Sequence, residues 1–290
     1  MSVPSLPGVN LGAVLPNLIV IGAAKCGTTS LHEYLDAHPE ISMSREKELH
    51  FFVDEKNYGR GLEWYESHFD DTAAVRGESS PGYSAFPLYR GVAERMARTV
   101  PDAKLVYLVR DPIDRILSHY THRTVNWPEM GTLEEALGSE LREWLVTPSC
   151  YWLQLAQYLA HFHPSQILVL DSDDLRARRD ETLASVFAFL GVDPDFRTPE
   201  FEVAHNAATG RTRVNRMGRT VSGLLERTVG SRRSRALRAS TPAALKAPFR
   251  YEVELPVLSD VLRAELEDEL RPEVEQLRAH TGLAFAGWSI

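Results

Sequence analysis

A glycine-rich stretch near the N-terminus has the residues of an anion-binding loop. The sequence IGAAKCGTTS covers residues 21–30, and Gly22 and Gly27 have the spacing of a nucleotide phosphate loop. Loops that bind ATP carry a lysine directly after the second glycine, where Thr28 stands here, and the lysine of this stretch is Lys25. Although a tight turn also requires glycine, the apolar run before the loop and the helical pattern after it favour a site for a phosphate-like group.

A second candidate anion site lies in the sequence LVRDPIDRILSHY, residues 108–120. Arg110 directly follows an apolar run, and open α/β sheets bind ligands at the carboxyl ends of their strands. Ser118 lies about two helical turns further along, so both side chains can reach one anion from the same side. The alternative is that Arg110 forms an ion pair with Asp114 and that Ser118 is an ordinary surface residue.

A third group of reactive side chains lies in SREKELHFF, residues 44–52, where charged residues run directly into two aromatic ones. If the aromatic residues anchor this segment, Glu48 and His50 can be held near the glycine loop. A hydroxyl that attacks an electrophile must lose its proton, so a carboxylate or an imidazole within hydrogen-bond distance is required. The alternative is an exposed turn whose charges pair with one another.

Elements that alternate between strand and helix must position these residues. Apolar runs predict buried strands at 18–21, 105–109 and 167–170, and a weaker one at 74–78. The spacing of apolar residues predicts helices at 28–37, 60–69, 86–99, 112–125, 131–145, 150–162, 180–190 and 259–280. This alternation predicts an α/β fold of the P-loop-like, three-layer kind, in which helices flank a central, mainly parallel sheet.

The composition is that of a globular protein without a general affinity for nucleic acid. The 290 residues carry a net charge of -8, and no apolar stretch reaches the roughly 18 residues of a membrane span. Two distant cysteines, Cys26 and Cys150, give neither a disulfide framework nor a metal-binding spacing, so we expect a cytoplasmic location.

We expect an extended N-terminal arm at 1–16 and a single domain at 17–290. Residues 206–250 form a basic excursion from this domain, because ten Arg and one Lys there face one acid, Glu226. A basic band on an acidic body suits a small polyanionic ligand, although a solvated helix face is the simpler interpretation for 231–238.

Together these motifs resemble the sulfotransferases that use 3′-phosphoadenosine 5′-phosphosulfate (PAPS), especially the heparan-sulfate type and its bacterial relatives. The resemblance covers roughly residues 17–288 and is most specific at 21–31, 46–52 and 108–120. In that family the glycine loop binds the 5′-phosphosulfate, and a lysine at the position of Lys25 touches the oxygen that bridges sulfur and phosphorus. The implied nucleotide-binding residues are Lys25, Cys26, Gly27, Thr28, Thr29, Ser30, Arg110 and Ser118.

The resemblance also implies the chemistry. The family places its general base at the position of Glu48, with His50 as a helper, and it assigns Arg110 and Ser118 to the 3′-phosphate. It closes a basic loop over the nucleotide near the start of the basic segment, which makes Arg211 and Arg213 candidates for that role. The reaction would yield 3′,5′-ADP and would require no metal.

The sequence departs from the heparan-sulfate enzymes at several positions. Ser79, in the stretch GESSPGY, stands where those enzymes carry a lysine near the transferring sulfate, which argues against a heparan-like acceptor. The acceptor therefore stays open among a glycan, a lipid headgroup and a secondary metabolite, and transfer to a hydroxyl or an amine is equally open. Tyr83, Trp127 and Trp152 either line its pocket or fill the core. The oligomeric state is also open.

Two other functions fit parts of the sequence. One is a small-molecule kinase that uses Mg-ATP, but the position of Lys25 and the lack of a clear magnesium ligand argue against it; Asp171 is the best candidate and is more simply a turn residue. The other is a nucleotide-binding protein without catalytic activity, which the presence of both Lys25 and Glu48 disfavours.

Overall fold

The computed structural model describes residues 14–70, 72–126, 130–202, 212–214, 250–252 and 256–290. Its centre is a sheet of five strands, all of whose neighbouring pairs are parallel. In chain order these are β1 (Leu18–Gly22), β2 (Ile41–Met43), β3 (Val75–Ser79), β4 (Lys104–Val109) and β5 (Ile167–Asp171). The predicted α/β fold with a parallel sheet is therefore confirmed.

Helices flank this sheet because its central strands, β1 and β4, are apolar and almost fully buried, so both of their faces must be covered. The helices are α1 (Thr28–Asp36), α2 (Leu62–Glu66), α3 (Val92–Thr99), α4 (Pro112–Asn126), α5 (Leu133–Leu137), α6 (Leu141–Val146), α7 (Tyr151–Leu159), α8 (Ser172–Ala177), α9 (Arg179–Leu190) and α10 (Asp260–Thr281). Helix α1 contacts β1, β2 and β3, and α9 contacts β5. Helix α10 packs against α4 and α7, which extends the core beyond the sheet.

The strand order places an open crevice at one edge of the sheet. The order is β2-β3-β1-β4-β5, so the chain leaves β1 toward one side of the sheet and returns to β4 on the other. Connections that diverge in this way leave a crevice at the carboxyl ends of the two strands, the usual ligand site of open α/β sheets. The glycine loop follows β1 and Arg110 follows β4, so the crevice lies between the first two predicted anion sites.

Several predicted elements differ from those observed. The predicted helix 131–145 is two helices, α5 and α6, because the first one ends at Gly138. The predicted helix 86–99 begins only at Val92, since Gly91 before it has a left-handed backbone with φ 69°. The predicted helix 60–69 covers only 62–66.

Three short strands and one short helix were not predicted. Strand β2 has three residues, and β6 (Thr212–Val214) and β7 (Arg250–Glu252) form a separate antiparallel pair. Helix α8 has six residues and is capped by Asp171, whose side chain accepts a hydrogen bond from the backbone N–H of Asp173. That capping contact agrees with the simpler interpretation of Asp171 as a turn residue.

Candidate functional site

The glycine loop turns sharply between the end of β1 and the start of α1. A Cβ atom at Gly22 would collide with Ser84 Oγ, so the close approach of these segments requires glycine. Lys25 and Gly27 both have left-handed backbones, with φ 76° and 94°. No side chain caps the N-terminus of α1, which leaves its first N–H groups to an anion in the loop.

Residues of the loop differ in how far they are exposed. Thr28 is buried, whereas Thr29, Ser30 and Lys25 are partly exposed. The thiol of Cys26 is buried and lies 3.7 Å from the hydroxyl of Tyr151, and burial raises its pKa. A buried thiol of this kind stays protonated and uncharged, so Cys26 adds no negative charge to the loop.

Arg110 joins the loop to the start of α4. Its Nη1 atom donates to the backbone oxygen of Lys25 at 3.4 Å, and its Nη2 atom donates to Asp114 Oδ2 at 2.7 Å. The ion pair with Asp114, one alternative from the sequence, is therefore present, yet Arg110 also lines the cavity that the loop faces. Ser118 lines the same cavity and is buried, so it is not an ordinary surface residue.

Asp111 fixes the turn that carries Arg110. Its Oδ1 atom accepts from the backbone N–H of Asp114 at 2.9 Å, which holds the first turn of α4. Its Oδ2 atom accepts from the backbone N–H of Ser289 at 2.5 Å and from the Ser289 hydroxyl at 2.7 Å. The C-terminal segment after α10 therefore stabilises the turn beside Arg110 through these two hydrogen bonds.

One cavity of about 1170 Å³ brings the three predicted sites together. Its volume is somewhat above the range of roughly 300–1,000 Å³ that is typical of ligand pockets. The predicted residues that line it are Lys25, Cys26, Gly27, Thr28, Thr29, Ser30, Glu48, His50, Arg110 and Ser118. The sites are separated in the sequence, and the crevice between β1 and β4 is what assembles them.

Glu48 and His50 lie on an unusual backbone at the wall of this cavity. Both have positive φ angles, 66° and 46°, while Leu49 between them is buried. Glu48 Oε2 lies 3.5 Å from His50 Nε2, and Glu48 Oε1 lies 3.3 Å from Lys47 Nζ. These partners, His50 before Lys47, lower the pKa of Glu48 to about 2 against the opposing effect of burial.

We expect the His50→Ala variant to raise the pKa of Glu48 toward its ordinary value of 4.5, because the hydrogen bond from His50 is the largest cause of the shift. The Lys47→Ala variant should raise it less. A lowered pKa means that Glu48 is ionised in the wild type across the whole range above about pH 2, whereas the variant takes up a proton at higher pH. Titration of the Glu48 carboxyl carbon by NMR measures both values, and a larger effect of Lys47→Ala would contradict this order.

Sequence reasoning missed a group of cations in the lining of the cavity, which we call the cationic wall. Three cations there lie over aromatic rings: Arg123 at 4.2 Å from the Trp144 ring centre, Lys56 at 4.9 Å from Tyr89 and Arg90 at 5.7 Å from Phe86. All six residues line the cavity. Because these pairs form between distant or unpatterned segments, no local motif could have identified them.

Other predicted residues either do not line the cavity or lie outside the residues that the structure describes. Ser79 is fully buried and lies 3.0 Å from His32 Nδ1, so it belongs to the core. Tyr83 is also buried, and Trp152 packs near His280 rather than in the cavity lining. Arg211, Trp127 and the side chain of Arg213 lie outside the described residues.

The described part of the chain has neither a metal-binding cluster nor a membrane-spanning helix. No cluster of His, Cys, Asp or Glu in the described residues could hold a metal ion. No helix among those described has the length and apolar content needed to cross a lipid bilayer.

Comparison with known proteins gives one consistent family. A sequence model of the sulfotransferase domain matches residues 15–227. Heparan sulfate glucosamine 3-O-sulfotransferase 5 of Homo sapiens is 30% identical over 208 residues, 68% of this chain and 58% of that protein. The membrane-associated sulfotransferase kil1 of Dictyostelium discoideum is 41% identical over 118 residues, 39% of this chain and 24% of that protein.

A solved structure covers nearly the whole chain. The sulfotransferase from Alicyclobacillus acidocaldarius superposes with a TM-score of 0.68 at 25% identity, over 95% of this chain and 99% of that one. By contrast, the matched part covers only 22% to 24% of the first curated relatives.

Proposed function

This chain belongs to the sulfotransferase family, and we propose that it transfers the sulfuryl group of PAPS to a hydroxyl or amine of an acceptor, releasing 3′,5′-ADP. The observation that carries the proposal is the single cavity in which the Lys25 loop, the Arg110–Ser118 pair and Glu48 meet. The uncapped N-terminus of α1 and the two cations Lys25 and Arg110 suit a substrate with two separate anionic groups.

The proposed roles of the nucleotide-binding residues follow from their positions. The loop from Lys25 to Ser30 takes the 5′-phosphosulfate, because all six of its residues line the cavity and such a loop supplies backbone N–H groups and the charge of Lys25. Arg110 and Ser118 take the 3′-phosphate, at the end of β4 and two turns into α4. Arg211 and Arg213 stay predictions for a basic loop over the nucleotide, as does the single domain at 17–290.

In the proposed reaction the acceptor hydroxyl attacks sulfur in line with the bridging oxygen of PAPS. Glu48 accepts the hydroxyl proton as the new oxygen–sulfur bond forms. The sulfur–oxygen bond to the phosphate breaks, and its electron pair stays on the phosphate oxygen, where the Lys25 ammonium stabilises the developing charge. His50, 3.5 Å from Glu48, orients the carboxylate.

The kinase alternative is not favoured. Lys25 lies two residues before the second glycine, and Thr28 occupies the position from which a kinase lysine would reach the β- and γ-phosphates. The sulfotransferase domain match covers this loop.

The lining beyond Glu48 supports a ring-shaped, anionic acceptor, either a small molecule or a glycan. A cation lies over one face of each aromatic ring, Lys56 over Tyr89 and Arg123 over Trp144, so this part of the lining combines apolar ring surface with positive charge. The heparan sulfate enzyme among the relatives is consistent with a glycan, although Ser79 lies in the core where that type carries a lysine. The cytoplasmic location stays a prediction from the cysteine usage.

Thermal unfolding with two ligands tests the proposed function. We expect 3′,5′-ADP at about 100 times its Kd to raise Tm by roughly 5 °C, since binding to the folded state alone stabilises it. Mg-ATP at the same concentration should raise it less. A rise in Tm with Mg-ATP alone would contradict the sulfotransferase proposal and support the kinase. If 3′,5′-ADP raises Tm, its release from PAPS in the presence of an acceptor would then establish turnover.

A further inference from the structure

A fully buried carboxylate lies under the segment that carries Glu48 and His50. Glu78 belongs to β3 and has no exposed surface. Among the described residues three hydroxyl groups donate to it: Tyr65 at 2.6 Å, Tyr83 at 2.7 Å and Ser80 at 2.7 Å. Burial raises the pKa of Glu78, and the three donors oppose that effect.

The direction of these hydrogen bonds is fixed by chemistry. An ionised carboxylate can only accept, so each of the three hydroxyls donates its single proton to the ionised form of Glu78. The hydroxyl oxygen is then free to accept from another donor. Ser80 Oγ accepts from the backbone N–H of His50 at 3.0 Å, and the Tyr83 oxygen accepts from the backbone N–H of Phe52 at 3.4 Å.

Two hydroxyl bridges therefore connect Glu78 to the backbone of the segment 48–52. Ser80 forms the first and Tyr83 the second. Among the described residues the Tyr65 hydroxyl donates to Glu78 and forms no hydrogen bond with this segment, although the Tyr65 ring stacks on Phe51 at 4.1 Å. One bridged residue, His50, is itself left-handed, as is Glu48 two residues earlier, and residues other than glycine rarely adopt this conformation without outside support.

We propose that Glu78, acting through the hydroxyls of Ser80 and Tyr83, is a positioning residue that holds Glu48 and His50 in the conformation needed for proton transfer. The proposal rests on the proposed function for its catalytic consequence. The arrangement itself is a property of the fold and can be tested without turnover.

The chain offers a matched pair of variants. Tyr65→Phe and Tyr83→Phe each remove one hydroxyl from a fully buried ring, and both hydroxyls donate to the same atom, Glu78 Oε1. Only Tyr83→Phe also breaks a bridge to the segment 48–52. Ser80→Ala breaks the other bridge, so it should behave like Tyr83→Phe.

The experiment measures kcat, the Kd of 3′,5′-ADP, Tm and amide hydrogen exchange for the three variants. We expect Ser80→Ala and Tyr83→Phe to lower kcat about 10-fold more than Tyr65→Phe does, with the Kd of 3′,5′-ADP within about twofold of wild type. Exchange of the His50 amide in Ser80→Ala, and of the Phe52 amide in Tyr83→Phe, should become at least about 10-fold faster.

The outcomes separate this proposal from the proposed function. If kcat falls in all three variants in proportion to Tm, Glu78 only stabilises the core and the positioning role is wrong. If the wild type turns over no acceptor, the proposed function fails, and the two amide exchange rates still decide whether the bridges hold the segment. If the Phe52 amide exchanges at the same rate in Tyr65→Phe and Tyr83→Phe, the proposal is overturned.

Discussion

Replacing Glu48 with glutamine is expected to lower kcat for sulfuryl transfer by about 10²- to 10⁴-fold. The amide keeps the size of the carboxylate but cannot take the proton of the attacking hydroxyl. The Kd of 3′,5′-ADP should stay within about twofold of wild type, because the residues proposed to bind the nucleotide are not changed. Steady-state kinetics and calorimetric titration measure the two quantities separately.

Other carboxylates provide the controls for this experiment. Glu46, which is exposed and two residues earlier, lies outside the cavity lining, so Glu46→Gln should leave kcat unchanged. Glu140 and Glu143 do line the cavity and are the alternative bases. Full turnover in Glu48→Gln together with a large loss in Glu143→Gln or Glu140→Gln would move the base to α6.

Replacing Arg110 with methionine should remove the preference for a 3′-phosphate. A charge-assisted hydrogen bond contributes about 1.5–3 kcal/mol, so we expect the Kd of 3′,5′-ADP to rise about 10- to 150-fold. The Kd of 5′-AMP, which lacks the 3′-phosphate, should change less than about threefold. Titration of both nucleotides into wild type and variant gives the comparison.

The contact between Arg110 and the loop supplies the competing explanation. Arg110 Nη1 donates to the backbone oxygen of Lys25, so the variant could instead weaken the loop itself. In that case both nucleotides would lose affinity equally, and the assignment to the 3′-phosphate would fail. Arg98→Met, at a half-exposed arginine paired with Glu94 on α3, is the control for loss of a positive charge.

Local patterns predicted the parts of the site that a few neighbouring residues determine. The loop at 21–30 and the pair Arg110 and Ser118 each belong to one strand–turn–helix unit, so their spacing marked them as candidate anion sites, and the family resemblance supplied their expected roles. The strand 74–78 was predicted weakly because its sequence, AVRGE, contains charges, and only in the fold does Glu78 meet its three hydroxyl donors.

Some features of the fold depend on contacts between distant segments and could not be predicted from the sequence. Ser79 meets His32 across 47 residues, and neither residue belongs to a pattern that links them. Strand β2 has three residues, too few to show a periodic pattern in the sequence. It forms because these residues pair with β3. The predicted helix 131–145 kept an apolar period through Gly138, so only the structure reveals the break.

The cationic wall is separate from the sheet that carries the nucleotide residues. Lys56, Tyr89 and Arg90 lie in loops, and Arg123 and Trp144 lie on α4 and α6. The phosphate loop and Arg110, by contrast, follow two central strands whose residues are almost fully buried. Substitutions in the wall leave these two central strands unchanged, so under the proposed function evolution or laboratory selection can change the acceptor of this scaffold while its sulfuryl donor stays the same.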